Sequence, residues 1–318
     1  MLLTCLLLAA PVAVLPAAVG AAQPAGAAPP AILVSDFDLA LRWAPIHYQD
    51  TDSSDYDADF LSTVDFDGDW DTRDNWEAQP SFPMRGAVYY SVVETSTHWF
   101  IVYAFYHPRD WTEFDPFGLL THENDMEGVL LTVRRNAGFG TLEAMVTVAH
   151  GNFYSYVPAG STYVSGRENV DGPLRLQSFD GVPHPTSFQE AKGHGCFAWN
   201  GSDFPGGDGV VYFPSGTSVS EVPSSGNDRS VAYRLVDIFA GGGLWARRAD
   251  PLTYVSFGTF RGDNGQDNAA NAPWGWDDGD DGSDLQRGLL ATDPARLVSI
   301  YFGGEGTFSL SYTRNGYL

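Results

Sequence analysis

The stretch His98-Trp-Phe-Ile-Val-Tyr-Ala-Phe-Tyr-His-Pro-Arg-Asp110 is followed, one loop later, by His122-Glu-Asn-Asp-Met-Glu-Gly-Val-Leu-Leu-Thr-Val133. The first is an aromatic, β-branched run ending in a Pro turn. The second is a polar cluster that opens a Val/Leu-rich run, and both read as strands. The same grain recurs outward from this pair. Apolar runs at 87–93, 98–106, 128–134, 142–149, 209–213, 231–239, 252–260, 297–302 and 307–312 are broken by Gly, Pro, Asn and Asp. Short strands with turn signals and few long segments of helical period predict an all-β fold. The expected form is an antiparallel β-sandwich or barrel-like sheet pair with few short helices, one of them within 31–42. Long loops are expected at 107–127, 151–208 and 261–292, and loops of that length in a folded domain are usually functional.

The chain has 318 residues, 43% of them apolar and 14% aromatic, which excludes a disordered tail and allows a large core. Forty acidic residues against 17 basic ones give a formal charge of −23. A broad basic surface for nucleic acid is thereby excluded, whereas divalent cations would be concentrated near the protein. Residues 1–22 read as a signal peptide, with a Leu/Ala/Val-rich run and small residues before Ala22, although the usual basic start is missing. Residues 23–30 form an Ala/Pro linker, and 31–318 are expected to be one domain. The expected product is a secreted monomer with no permanent transmembrane anchor. Without Cys5 only Cys196 remains, so no intramolecular disulfide is expected. Cys196 beside His194 is either a reactive thiol, a metal ligand or a buried inert cysteine.

Two acidic loops invite comparison with the calcium-binding helix–loop–helix template, which needs Gly at its sixth position and Glu at its twelfth. Counted from Asp65, those positions hold Trp70 and Trp76. Counted from Asp277, Gly282 fits the sixth, but Gly279 stands at the third and Gly288 at the twelfth. Both loops fail the template and read as solvated acidic turns or irregular, weak Ca²⁺ sites.

The polar cluster at the head of the second strand carries the chemistry. Asp125 and Glu127 project from one face of a strand, and His122 on the preceding turn can fold over them. Crowded carboxylates raise one another's pKa unless a positive charge sits between them, and mostly oxygen ligands with one nitrogen suit Mg²⁺, Ca²⁺ or Mn²⁺. The competing reading is a surface ion-pair network in which Asp125 or Glu127 pairs with Arg109 or Arg134 and His122 caps a turn.

The order of aromatic strand, Tyr106-His-Pro-Arg-Asp110, Gly-containing loop and His122-x-x-Asp125-x-Glu127 resembles the necrosis- and ethylene-inducing-like secreted proteins. It is equally similar to the family of vacuolar protein sorting-associated protein 62. In the former, His122, Asp125 and Glu127 would fall on the first His, the Asp and the Glu of the hallmark heptapeptide, and Asp110 on the Asp of a Tyr-Phe-Pro-Lys-Asp segment. The resemblance implies that these four side chains surround a divalent metal in an acidic cavity on a β-sandwich. It also brings His150, in Val-Ala-His-Gly, near the cavity, while His194 in Gly-His-Gly looks closer to the sorting-protein family. Thr121, Asn124 and Met126 depart from the heptapeptide, and the family's disulfide has no counterpart.

Further along, Trp274 and Trp276 among Asn and Asp residues could stack on a sugar ring or pack a Gly-rich loop onto the core, and Arg247 could contact an anion. Three functions follow from these residues. The first is cation-dependent recognition of a polar head group, glycolipid or polysaccharide, with membrane activity. The second is a metal-assisted hydrolase of phosphodiester or glycosidic bonds with His150 or His194 as acid or base. In the third, the cation merely orders loops.

Overall fold

The computed structural model describes residues 34–266, 268–280, 285–303 and 307–318. The expected signal peptide and linker lie outside the described residues. Helix α1 (Asp36–Trp43) starts where Ser35 accepts the Asp38 amide with its hydroxyl, and it buries Leu39, Ala40 and Trp43. Strand β1 (Ile46–Asp50) and short helix α2 (Asn75–Ala78) follow. Then come β2 (Ala87–Thr95), β3 (His98–Asp110), β4 (His122–Arg134), β5 (Thr141–Ala149) and β6 (Asn152–Pro158). Next are β7 (Val170–Leu174), β8 (Leu176–Phe179), β9 (Val182–Gln189), β10 (Cys196–Ala198), β11 (Gly209–Ser215) and β12 (Val231–Asp237). The chain ends with a separate hairpin of β13 (Tyr254–Ser256) and β14 (Thr259–Phe260), helices α3 (Leu289–Thr292) and α4 (Pro294–Tyr301), and β15 (Tyr312–Arg314).

Thirteen strands share one sheet with the central order β10-β9-β1-β11-β12-β2-β3-β4-β5-β6-β7. The expected antiparallel sandwich is corrected here. The sheet is mixed, with parallel pairs β1–β9, β11–β12, β12–β2 and β6–β7. It also curls until β10 lies against β4 and β5, nearly closing on itself. Alternating residues of β3 show what this does. Phe100, Val102, Ala104 and Tyr106 join one core cluster, while Ile101, Tyr103 and Phe105 join the other. Both faces of the strand are covered, which is why its sequence is a continuous apolar run and not an alternation.

Several segments differ from the sequence expectation. The run 297–302 lies mostly in α4, whose buried Pro294, Leu297, Val298 and Tyr301 follow the helical spacing i, i+3, i+4, i+7. The run 307–312 enters a strand only at Tyr312, and 252–260 splits into the small hairpin. The stretch 151–208, expected as a loop, holds β6 to β10, short strands with interspersed Gly and Pro. Both β3 and β4 run further toward the loop between them than their apolar runs do, and these extensions carry Asp110 and His122.

Candidate functional site

Pairing of β3 with β4 sets Asp110 opposite His122 and His107 opposite Asp125. Asn124 interrupts this ladder with φ of 59°, a left-handed conformation that Asn tolerates better than most residues. Its buried side chain fixes the kink. The Asn124 carboxamide oxygen accepts from the Tyr106 hydroxyl (2.6 Å) and Asn75 Nδ2 (2.9 Å), and its own Nδ2 donates to the Thr72 and Arg261 carbonyls (2.8 and 3.0 Å). Asn124, read in the sequence only as a departure from the heptapeptide, is thus what aims His122 and Asp125.

A cavity of about 610 Å³ opens over this end of the sheet, and Asp110, His122, Asp125, Glu127 and His150 all line it. The four expected metal-site residues therefore share one hollow, with unequal commitments. His122 Nδ1 lies 2.8 Å from the Asn124 carbonyl, which can only accept, so Nδ1 carries the proton. In the neutral ring Nε2 then presents a lone pair, and it faces Asp110 Oδ2 at 3.5 Å. Glu127 accepts the His150 and Cys196 amides, one on each oxygen (2.7 and 2.9 Å). Asp125 turns one oxygen toward His194 Nδ1 (3.0 Å). The surface ion-pair alternative is not what forms, since Arg109 pairs with Asp55 and Arg134 with Glu143.

Burial and the neighbouring Asp125 charge push the Asp110 carboxyl up to about 6. Glu127 is raised by burial and then by Asp125, against the opposing effect of its two amide hydrogen bonds. Among the described residues, the acidic triplets whose ligand atoms all lie within 4.8 Å of one another are Asp67–Asp69–Asp74 and Glu168–Asp278–Asp280. The Asp110–His122–Asp125–Glu127 set is more open than that. In the Asp65–Asp71 loop, Asp67 and Asp69 each accept the amide two residues on, and Asp71 is paired with Arg73, the arrangement of a solvated acidic turn. Asp281 to Asp284 of the second acidic loop lie outside the described residues.

His194 is fully buried, and its ring nitrogens bond Asp125 (3.0 Å) and Asp59 (3.3 Å). Both ring nitrogens face a carboxylate oxygen, and the imidazolium form supplies a hydrogen to each. Burial works against its charge, but the hydrogen bonds to Asp125 and Asp59 prevail and raise it to about 9. The ring of His107 stacks on it at 3.7 Å, nearly parallel. Expected as a ligand-binding or acid–base residue, His194 instead acts from behind the cavity wall, holding Asp125 in place. His150 does reach the cavity, half-exposed and bonded through Nε2 to Glu190 (3.0 Å), which raises its pKa. Gly193 and Gly195 let the chain pass beside this ring: a Cβ on Gly195 would stand 2.6 Å from His150 Nε2.

Trp274 is corrected from candidate sugar platform to core residue, 1% exposed in the larger cluster. Trp276 lines the cavity but is 3% exposed and donates Nε1–H to the Met126 carbonyl (2.8 Å), so it forms a wall. Arg247 lies outside the cavity lining, over the Trp70 ring and paired with Asp250. Cys196 is buried with its thiol pKa raised by burial and then by Glu127, the inert alternative. Asp59, His107, Glu190 and Arg287 were not singled out in the sequence. Asp59 was hidden in an acidic stretch that reads as solvated, and Arg287 carries no local signal.

No family model matches the chain, and no curated protein matches it. Among solved structures, the chain is similar to NLPPya in complex with glucosamine and in complex with mannosamine. Each is 16% identical and covers 83% of this chain and 89% of that one, with TM-scores of 0.35 and 0.36. It is also similar to Necrosis and Ethylene inducing Protein 2 from the causal agent of cocoa's Witches Broom disease, 16% identical over 52% of this chain and 70% of that one, with a TM-score of 0.28. These neighbours are toxin-fold proteins of the necrosis- and ethylene-inducing group at low identity, and no vacuolar sorting protein is among them.

Proposed function

We propose that the protein is a secreted, divalent-cation-dependent receptor for a polar head group, seated in the cavity beside Asp110, His122, Asp125 and Glu127. The observation that carries this reading is the His122 ring, whose Nδ1–H is spent on a carbonyl while Nε2 faces the Asp110 carboxylate. A carbonyl behind a histidine, fixing its tautomer and leaving one nitrogen free, is how metal-binding imidazoles are held. Two acceptors facing each other also need a cation or a proton between them. Asp125 and Glu127 already serve His194 and two amides, so a cation here keeps part of its water shell, as Mg²⁺ does, with Ca²⁺ and Mn²⁺ as alternatives. When bound, the ion supplies positive charge for ligand hydroxyl or phosphate oxygens.

A glycolipid fits better than a free polysaccharide. The loop between β3 and β4 exposes Phe114 (76%), Phe117 (81%), Leu119 (60%) and Leu120 (66%), and the last two also line the cavity. An apolar rim beside a polar hollow suits a head group at a lipid surface and is the basis for membrane activity. The hydrolase alternative has the narrower support: His194 has no exposed atom, and of its two candidate residues only His150, held by Glu190, reaches the cavity.

The test is binding to vesicles with and without glycolipid, using protein stripped by chelation and then reloaded with Mg²⁺, Ca²⁺ or Mn²⁺. Binding is expected only with glycolipid and only after reloading. Binding unchanged by exhaustive chelation contradicts the cation's role. A cation that raises the melting temperature without altering binding leaves it the loop-ordering role alone.

A further inference from the structure

The cavity has a second charged feature away from the four candidate ligands. Arg287 lines it, with Nε donating to the Gly275 carbonyl (2.6 Å) and Nη2 to Thr259 Oγ1 (2.7 Å) and Asn271 Oδ1. All three acceptors are neutral. Both Nη1 hydrogens have no protein partner among the described residues, and no carboxylate among them pairs with this guanidinium, although Asp277 lines the same cavity. Arg109, Arg134, Arg135, Arg314 and Lys192 are taken up by Asp or Glu. Arg42, Arg229, Arg248 and Arg261 donate to backbone carbonyls as Arg287 does, and what sets Arg287 apart is that it is the one arginine lining this cavity among the described residues. A guanidinium clamped in place by neutral groups loses little further freedom when an anion arrives.

We infer that Arg287 is the anion-binding half of this cavity, and that the head group is an acidic saccharide, a sugar bearing a carboxylate or a phosphate, and not a neutral hexose. The inference rests on the head-group reading. It adds that the ligand's hydroxyls face the Asp110–His122 side and its anionic group faces Arg287. Oppositely charged sides then orient the ligand, and a neutral sugar leaves the Nη1 hydrogens unserved.

The experiment compares galactose, galacturonate and galactose 6-phosphate by calorimetric titration of cation-loaded wild-type protein, Arg287→Gln and Arg287→Lys, with cation content and melting temperature measured for each. Wild type is expected to bind at least one acidic sugar about tenfold or more tightly than galactose. Arg287→Gln should bring the ratio of acidic-sugar to galactose affinity close to one while cation content is kept, with a lower melting temperature from the lost hydrogen bonds to Gly275, Thr259 and Asn271, and Arg287→Lys should keep part of the preference. The better of the two acidic sugars identifies carboxylate or phosphate as the anion. Equal affinity of wild type for all three sugars, or a preference that survives in Arg287→Gln, overturns the inference and leaves the head-group reading standing. Failure of every sugar to bind cation-loaded protein overturns both.

Discussion

His122, Asp110 and His194 divide the chemistry of the site between a group that offers a lone pair, a group that offers charge and a group that holds charge in place. Asp110 has a folded pKa of about 6 against an ordinary 3.8, so between those values the folded chain holds a proton that the unfolded chain has released. The stability this gives is complete below the ordinary value and is lost as pH rises through about 6, and Glu127 acts in the same direction. A cation bound as proposed would replace those protons. The gap in melting temperature between cation-loaded and chelated protein should therefore widen from pH 5 to 7 and close below pH 4; a gap independent of pH contradicts this. His194 has the opposite sense. Its folded pKa of about 9 lies above the ordinary 6.5, so its contribution is complete below the latter and is lost as pH rises through about 9. Denaturant titrations of wild type should show stability falling across that window, and His194→Gln should remove the fall.

The element on which everything turns is β4. Its apolar half from Gly128 onward was legible because both faces are buried and the sequence is continuously apolar. Its polar half was legible as a cluster of groups on one strand, and His122, Asp125 and Glu127 all line one cavity. The kink at Asn124 was not legible, because its cause is a set of partners at Asn75, Tyr106, Thr72 and Arg261 that are distant in sequence. Asn124→Ala removes four buried hydrogen bonds and a residue suited to positive φ, and should cost about 3 kcal/mol or more by chemical denaturation. It should also weaken cation uptake. Gly128→Ala tests the other half of the strand. A Cβ there would lie 2.1 Å from the Tyr103 carbonyl oxygen and 2.8 Å from the Trp276 ring, so about 2–4 kcal/mol of destabilisation is expected. A loss under 1 kcal/mol in either variant would show that the strand relaxes more readily than its packing implies.

Across the whole molecule, strand content was readable from composition and short apolar runs, but sheet order was not. Period-two patterning says which residues share a face, not which strands are neighbours, and two of the four parallel pairings, β1–β9 and β12–β2, join segments far apart in the chain. The same distance hid Arg287 and Asp59, which reach the site from the C-terminal segment and from the acidic stretch near the start of the domain. Net charge belongs to this scale as well. At −23 the molecule attracts cations everywhere, so weak, salt-sensitive binding to its acidic turns has to be separated from one specific ion in the cavity. Metal content of the purified protein, dialysed at 0.15 M salt against Mg²⁺, Ca²⁺ or Mn²⁺ and measured for wild type beside His122→Ala, makes that separation. One equivalent per chain retained by wild type and lost by a folded His122→Ala is the expected result. Wild type that retains no ion, or a variant that retains as much as wild type, contradicts the cation site.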